Sequence, residues 1–274
     1  MKHILISDFT TKEVPHGGSE WVNDVLISRF NLEFQYSQHV NSFDLNDFYV
    51  ISNISLMHPN LVRQIPKLNY IIIENDYKIC NSRHPWRWPN SIIPKSERVN
   101  YDLYKNAKAV FVQTTDHYNV YKTNEVEGKF INLNSSIWDE KDLQLLEQIF
   151  YDTKNKSNSY AIYDTDNWIK NKTGAINYCI SNNIEYQLVP NSSNRETFLR
   201  GLSECKGLVF LPIARETFCR LVVEAKCFGL DVVTTKNYGA SLEPWFDMVG
   251  QEMIDFLRMN TEHNLNKINK HLKI

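Results

Sequence analysis

Glu216 and Glu224 stand eight positions apart in "RETFCRLVVEAKCFGLDVVTT", residues 215–235, where nearly every other side chain is suited to burial. The preceding "GLVFLPIAR" reads as a strand, so Glu216 falls at its end and at the mouth of the helix that the next residues predict. On a helix, eight positions turn about 80° beyond two revolutions and rise about 12 Å, which puts the carboxylates on neighbouring faces at different depths. Phe218, Leu221, Val222, Ala225 and Gly229 form a core-facing stripe, and Cys219, Val223 and Cys227 make the opposite side apolar too. Glu224 is then a charge on a mostly buried helix. A buried carboxylate is costly unless donors meet it, and the vicinal hydroxyls of a sugar are well-matched donors. A plainer reading stands beside this one: Arg220, four residues from each glutamate, makes an ion-pair ladder along one helix face.

The elements that must position these residues are short apolar runs rich in β-branched side chains. "HILISDF", "FYVISN", "NYIIIEN", "KAVFVQT" and "KFINL" alternate with polar or amphipathic stretches up to about residue 135, the pattern of a parallel α/β sheet. After the helical "WDEKDLQLLEQIFYDTKNKSNS" the pattern resumes with "YAIYD", "EYQLVP", "GLVFLP" and "DVVTT". Two tandem α/β domains are expected, residues 1–155 and 156–243. The tail 244–274, with helical spacing at Met253, Phe256, Leu257 and Leu265, is expected to pack back across them. In open α/β sheets ligands bind beyond the carboxyl ends of the strands, so the useful residues should follow strands directly.

Segment 212–243 resembles the E-x7-E element of retaining glycosyltransferases with the GT-B fold, family four in particular: Pro212, Glu216, Phe218, Glu224, Ala225, Gly229 and Leu230 match its pattern, followed by "VVTTKNYGA". An N-terminal GG-x-E loop of that family is matched by Gly17, Gly18 and Glu20 in "HGGSE", with Ser19 as the expected N-cap of the following helix. The resemblance implies two Rossmann-like domains facing across a cleft, the C-terminal one holding a nucleoside diphosphate sugar, and transfer to an acceptor hydroxyl with retention. It implies that Glu216 contacts the donor sugar, Glu224 the ribose, and the amides of Thr217 and Phe218 the diphosphate, as unpaired N–H groups at a helix start would. Departures are Thr217 and Cys219 where the family has glycine, and Asp231 where it has proline.

Of the family's two diphosphate cations, Lys172 in "WIKNKTGAINYC" is the candidate lysine; the arginine is absent, with Asp166 and Asn167 near its place, and Arg215 is a substitute. The family histidine near the donor sugar is also missing from the end of "NYIIIENDYKIC", where Glu74 or Asp76 could contact sugar or acceptor, or only cap the next turn. "NSRHPWRWPNSIIPK" collects Arg83, His84, Trp86, Arg87 and Trp88 in one proline-bounded loop. It reads either as an acceptor loop, with rings for stacking and guanidinia for phosphate, or as a loop anchored to the sheet by its tryptophans.

Composition narrows the partners. Thirty basic and thirty-two acidic residues among 274 give a net charge of −2, with no bulk attraction to nucleic acid or anionic membranes. An acceptor glycan or lipid-linked sugar is the expected partner; a hydroxymethylated base in DNA, which the Arg/Trp loop would suit, is the second reading. A module that binds nucleotide sugars without turnover is the third. The eight scattered histidines and the lack of a D-x-D triplet offer no metal site, and no cofactor is expected beyond a UDP- or GDP-sugar donor. Five cysteines without a C-x-x-C pair read as reduced and packed. "MKHILISDFT" turns polar too soon for a signal peptide, and no stretch nears the roughly 18 apolar residues of a membrane span, so a cytoplasmic protein is expected.

Overall fold

A computed structural model describes residues 1–13, 17–192, 194–235 and 238–272. The chain divides into two compact units, residues 1–137 with 261–274, and residues 138–260. The division falls at Trp138, ahead of the helix that was expected to close the first domain, so that helix belongs to the second unit.

The first unit is built on six parallel strands, β1 (His3–Ser7), β2 (Glu33–Tyr36), β3 (Phe48–Ile51), β4 (Asn69–Glu74), β5 (Val110–Val112) and β6 (Phe130–Asn132), in the order β2-β1-β3-β4-β5-β6. Helices α1 (Gly18–Phe30), α2 (Pro59–Val62), α3 (Tyr101–Asn106) and α4 (Thr115–Thr123) connect them. Each of the five apolar runs of the first half is a strand. β3 and β5 are buried along their whole length, as a parallel sheet covered on both faces requires. The strand without a sequence signal is β2: an edge strand whose four residues are exposed or half-buried needs no apolar run.

The second unit begins with α5 (Glu140–Asp152) and carries β7 (Tyr160–Asp164), β8 (Tyr186–Pro190), β9 (Gly207–Phe210) and β10 (Asp231–Thr234), parallel in the order β10-β9-β7-β8. Its connecting helices are α6 (Lys172–Ser181), α7 (Arg195–Ser203) and α8 (Arg220–Cys227). Val222, Val223, Ala225 and Cys227 of α8 are buried in a core shared with α5, α7 and β9. Burying a valine contributes about 1.5–3 kcal/mol, so a charged residue at Val222 or Val223 would undo the helix's docking. Gly229, with φ of +65°, follows the helix in the left-handed conformation that closes many helices. The last helix, α9 (Gly250–Leu272), contributes Met253, Ile254 and Leu257 to the core of the second unit and Leu265, Ile268 and Leu272 to that of the first. Its apolar positions recur at helical spacing along 23 residues.

All five cysteines are free and buried. No described helix is long and apolar enough to cross a membrane.

Candidate active site

The helix expected to carry both glutamates carries one. α8 begins at Arg220, after Cys219 takes φ of +78° as its N-cap, and Glu216 lies four residues upstream in an extended bridge paired with Tyr238. The Glu216 carbonyl accepts from Gly239 N–H at 2.9 Å, and the Phe218 carbonyl accepts from Ala240 N–H at 3.3 Å. The amides of Thr217 and Phe218 therefore precede the helix start instead of forming it. The Phe218 ring is buried between Trp138 and Trp245, with ring centroids 6.5 and 6.0 Å away. The physical reason is the bridge: backbone groups of 216–218 are spent on pairing with the 238–240 segment and cannot also begin a helix.

Glu216 and Glu224 consequently belong to different ion networks, and the ladder through Arg220 forms only on its Glu224 side. Glu216 Oε1 accepts from Lys170 Nζ at 2.8 Å, both side chains being only partly buried, at 19% and 28% exposure. Burial alone would lower the Lys170 pKa; the Glu216 carboxylate more than offsets it and holds the ammonium above its ordinary pKa. Lys170 stands on a single 3-10 turn, Trp168–Lys170, ended by Asn171 in the left-handed region. The Asn171 side chain accepts from Gly174 N–H at 3.2 Å and donates to the Leu211 carbonyl at 2.9 Å, tying the start of α6 to the segment after β9. A Cβ at Gly174 would lie 2.3 Å from Asn171 Nδ2, so this cap requires the glycine.

Lys172, the lysine expected beside the diphosphate, instead pairs with Asp164 at 2.7 Å and Asp166 at 3.6 Å. Two residues of offset across the Asn171 turn send the two lysines to different acids. Lys170 is the cation that meets Glu216. The sequence offered both in "WIKNKTG", and only the turn distinguishes them. Arg215 and Thr217 flank Glu216 and are half-buried.

Glu224 is 2% exposed. Its Oε1 accepts from Arg195 Nη2 at 2.7 Å, while Arg195 grips Asp142 through Nε and Nη2 at 3.0 and 3.1 Å. Arg220 Nη2 donates to Asp142 Oδ2, the oxygen that also accepts from Arg195 Nη2, at 2.9 Å; its Nε reaches Glu224 only at 3.8 Å, and its guanidinium lies 3.6 Å over the Trp138 ring. Two carboxylates and two guanidinia close a neutral buried cluster. Burial would raise the Asp142 carboxyl, but Arg195 and Arg220 overcome it and hold the group below its ordinary value. Arg195 and Asp142 carried no sequence signal for this role.

In the first unit, Gly17, with φ of −74°, is the N-cap of α1 in place of Ser19, and the helix starts at Gly18. Ser19 Oγ instead donates to Glu20 Oε2 at 2.9 Å and accepts from Asn53 Nδ2 at 3.2 Å. From there a polar seam runs to Arg83, whose Nη1 meets Asn53 Oδ1 at 3.4 Å and Asp76 Oδ2 at 2.8 Å. The glycine loop, Asp76 and Arg83 are thus joined at the carboxyl ends of β1, β3 and β4. Asn53 is the link that sequence reasoning missed.

Glu74 is removed from the candidates for ligand contact. It is fully buried; its oxygens accept from Lys78 Nζ at 2.6 Å and Tyr104 Oη at 2.6 Å, so both are committed inside the sheet. Asp76 remains one-third exposed beside Arg83. In the arginine-tryptophan loop, Trp88 packs against the core and anchors the loop, Trp86 lies against His84 with ring centroids 5.4 Å apart, and Arg87 is exposed. Among the described residues no cluster of His, Cys, Asp and Glu is placed to hold a metal ion.

Glu20 yields a first prediction. It is 4% exposed, and burial pushes its carboxyl above the ordinary range. A raised folded pKa gives stability that is full below the unfolded value and lost as pH rises through the folded one. Glu20→Gln is therefore expected to raise the melting temperature at pH 7, with the gain shrinking as pH falls into the carboxylate range; a calorimetric scan at several pH values checks it.

No protein-family model matches the chain, and no curated protein matches it in sequence. Solved structures do match in fold. A trehalose-6-phosphate synthase superimposes with a TM-score of 0.62 at 8% identity, over 100% of this chain and 99% of that one. The Anabaena protein HepE in complex with UDP gives 0.52 at 12% identity, over 100% and 98% of the two chains. The chain has the GT-B fold. A glycosyltransferase from Rickettsia africae gives 0.51 at 11% identity, over 99% of each chain. At these identities the likeness is one of architecture, and the GT-B fold accounts for two parallel sheets with the polar residues gathered at strand ends.

Proposed function

We propose that this GT-B chain is a retaining glycosyltransferase that moves a sugar from a nucleoside diphosphate sugar to an acceptor hydroxyl, using its own cations to balance the diphosphate. The observation that carries the reading is the half-open Lys170–Glu216 pair following β7 and β9. An ammonium suits the diphosphate, and a carboxylate accepts from sugar hydroxyls; a donor entering between them would take both partners from each other. Arg215 stands next in sequence as a second cation for the phosphates. The ribose falls to Glu224, whose carboxylate Arg195 orients. In the first unit, Asp76 with Arg83 and Arg87 is assigned to the acceptor.

The mechanism proposed with it, drawn from the resemblance, is transfer on the front face. The bond from the anomeric carbon to the phosphate oxygen breaks, and that oxygen takes the proton of the incoming hydroxyl as the new glycosidic bond forms on the same face. Lys170 stabilises the charge that grows on the leaving diphosphate, so catalysis is mainly positioning and electrostatics. Support also comes from the fold: a trehalose-6-phosphate synthase of this fold is described in terms of glycosyl transfer with retention.

Calorimetric titration with UDP- and GDP-sugars, followed by assay of released nucleoside diphosphate, tests the reading. Binding with turnover is expected; binding without turnover against any hydroxyl acceptor would make the chain a nucleotide-sugar-binding module, and no binding at all would overturn the proposal. Glu224→Gln is expected to weaken nucleotide binding itself, whereas Glu216→Gln should reduce turnover more than affinity. Loss of thermal stability alone in both variants would assign the two glutamates to structure.

A further inference from the structure

The sheet of the second unit ends on β8, which is hydrogen-bonded to β7 on one side and to no described strand on the other. Two bonds fix the phase of its backbone: the Glu185 carbonyl accepts from Tyr160 N–H at 2.8 Å, and Asn191 N–H donates to the Asp164 carbonyl at 3.3 Å. Odd-numbered residues therefore turn their peptide groups to β7, and Tyr186, Leu188 and Pro190 turn theirs outward. The proline fits, since the N–H it lacks would have faced away from the sheet.

Open edges of this kind are ordinarily blunted by charge, brevity or cover. β2 and β10 include Glu33 and Asp231, and β6 is three residues long. β8 has five residues, no charged side chain and a 43% exposed leucine, Leu188. From Thr173 to Asn194, a stretch that takes in most of α6, Glu185 is the one charged residue in a chain that is 23% charged.

This edge is complementary to itself. Laid antiparallel to a second copy across a two-fold axis at Gln187, β8 sets Tyr186 opposite the copy's Leu188 and Leu188 opposite its Tyr186. Each such pair exchanges both of its outward N–H···O bonds. Tyrosine ring and leucine side chain meet on one face, a cross-strand contact that covers the exposed leucine. Glu185 falls opposite Val189, so like charges do not meet, and Pro190 ends the ladder on both sides. A foreign strand would satisfy the same backbone groups, whereas a second copy also brings the matching side chains and the absence of charge.

We propose that β8 pairs with β8 of a second copy of this chain, joining two four-stranded sheets across a two-fold axis. A contact this short belongs to the transient class that buries less than about 1,200 Å², so association depends on concentration. The pairing is independent of sugar transfer.

Sedimentation velocity over about a hundredfold range of concentration, with hydrogen exchange on the same samples, tests it. The full chain is expected to pass from monomer to dimer as concentration rises. The Tyr186 and Leu188 amides should exchange at least about tenfold more slowly in the dimer, while those of Gln187 and Val189, turned to β7, are protected at every concentration. Leu188→Pro removes an outward N–H and no bond within the sheet, and Leu188→Lys sets a charge on each side of the axis. Each should raise the dissociation constant by at least about tenfold. The lysine variant, at an exposed position, keeps the test open if the proline variant does not fold. A chain that stays monomeric throughout would overturn the proposal and leave β8 to a partner of another kind. A dimer that survives Leu188→Lys, or one that forms without protecting Tyr186 and Leu188, would overturn it by placing the interface elsewhere.

Discussion

Lys170→Ala is expected to lower turnover by about 10²–10³-fold, the cost of deleting one preorganised electrostatic group facing a developing charge. The parent residue sits 2.8 Å from Glu216 on a turn fixed by Asn171, so it is preorganised without being sealed. Its removal leaves Glu216 partly open to water, which limits the stability cost to about 1–2 kcal/mol. Lys172→Ala is the control. That lysine is neutralised by Asp164 and Asp166, and its loss should change turnover by less than about twofold, the scale of a surface substitution of 0.5 kcal/mol. Steady-state release of nucleoside diphosphate from both variants, with melting temperatures, separates the two lysines. Equal losses would return the diphosphate role to Lys172, and no loss in either would remove the lysine from the chemistry.

The second large effect is on stability. Arg195 is shared between Asp142 and Glu224, both almost fully buried, and Arg195→Ala leaves one oxygen of Glu224 and one edge of Asp142 without their cation. Removing one partner of a buried pair typically costs about 3–5 kcal/mol, and because Arg220 still holds Asp142 the lower end applies. Urea denaturation should show the midpoint falling with the slope unchanged. The same cluster shapes the acid response. The Asp142 carboxyl is held below its ordinary value, so its contribution is full above the unfolded carboxylate pKa of about 3.9 and is lost as pH falls through the folded value. Asp142→Asn is expected to flatten that acid limb while lowering stability at neutral pH. A cost below about 1 kcal/mol for Arg195→Ala would mean that water already serves these groups.

Arg195→Lys adds a functional reading to the same cluster. Lysine keeps the charge but cannot make the two-pronged contact with Asp142, so Glu224 loses its orientation more than its neutrality. Nucleotide affinity should fall in this variant even where stability largely survives.

The sequence by itself determined every strand but the edge strand β2, and their order along the chain, because an apolar run of four to six residues with β-branched side chains is a local signal that a covered parallel strand needs whatever it pairs with. It also determined that Glu216 follows a strand, which is where GT-B folds gather their chemistry. Only the tertiary structure decided that Glu216 precedes the helix, since the bridge to Tyr238 outcompetes local helical preference. It alone decided that Lys170 and not Lys172 faces that glutamate, that Arg195 answers Glu224, and that Glu74 is sealed inside by Lys78 and Tyr104. Except for Lys78, four positions from Glu74 across the turn after β4, these pairings join residues 46, 29 and 30 positions apart. Charges of either sign look alike along a chain; which two meet is fixed when the sheet brings their strand ends together and burial makes an unmatched charge too costly to keep.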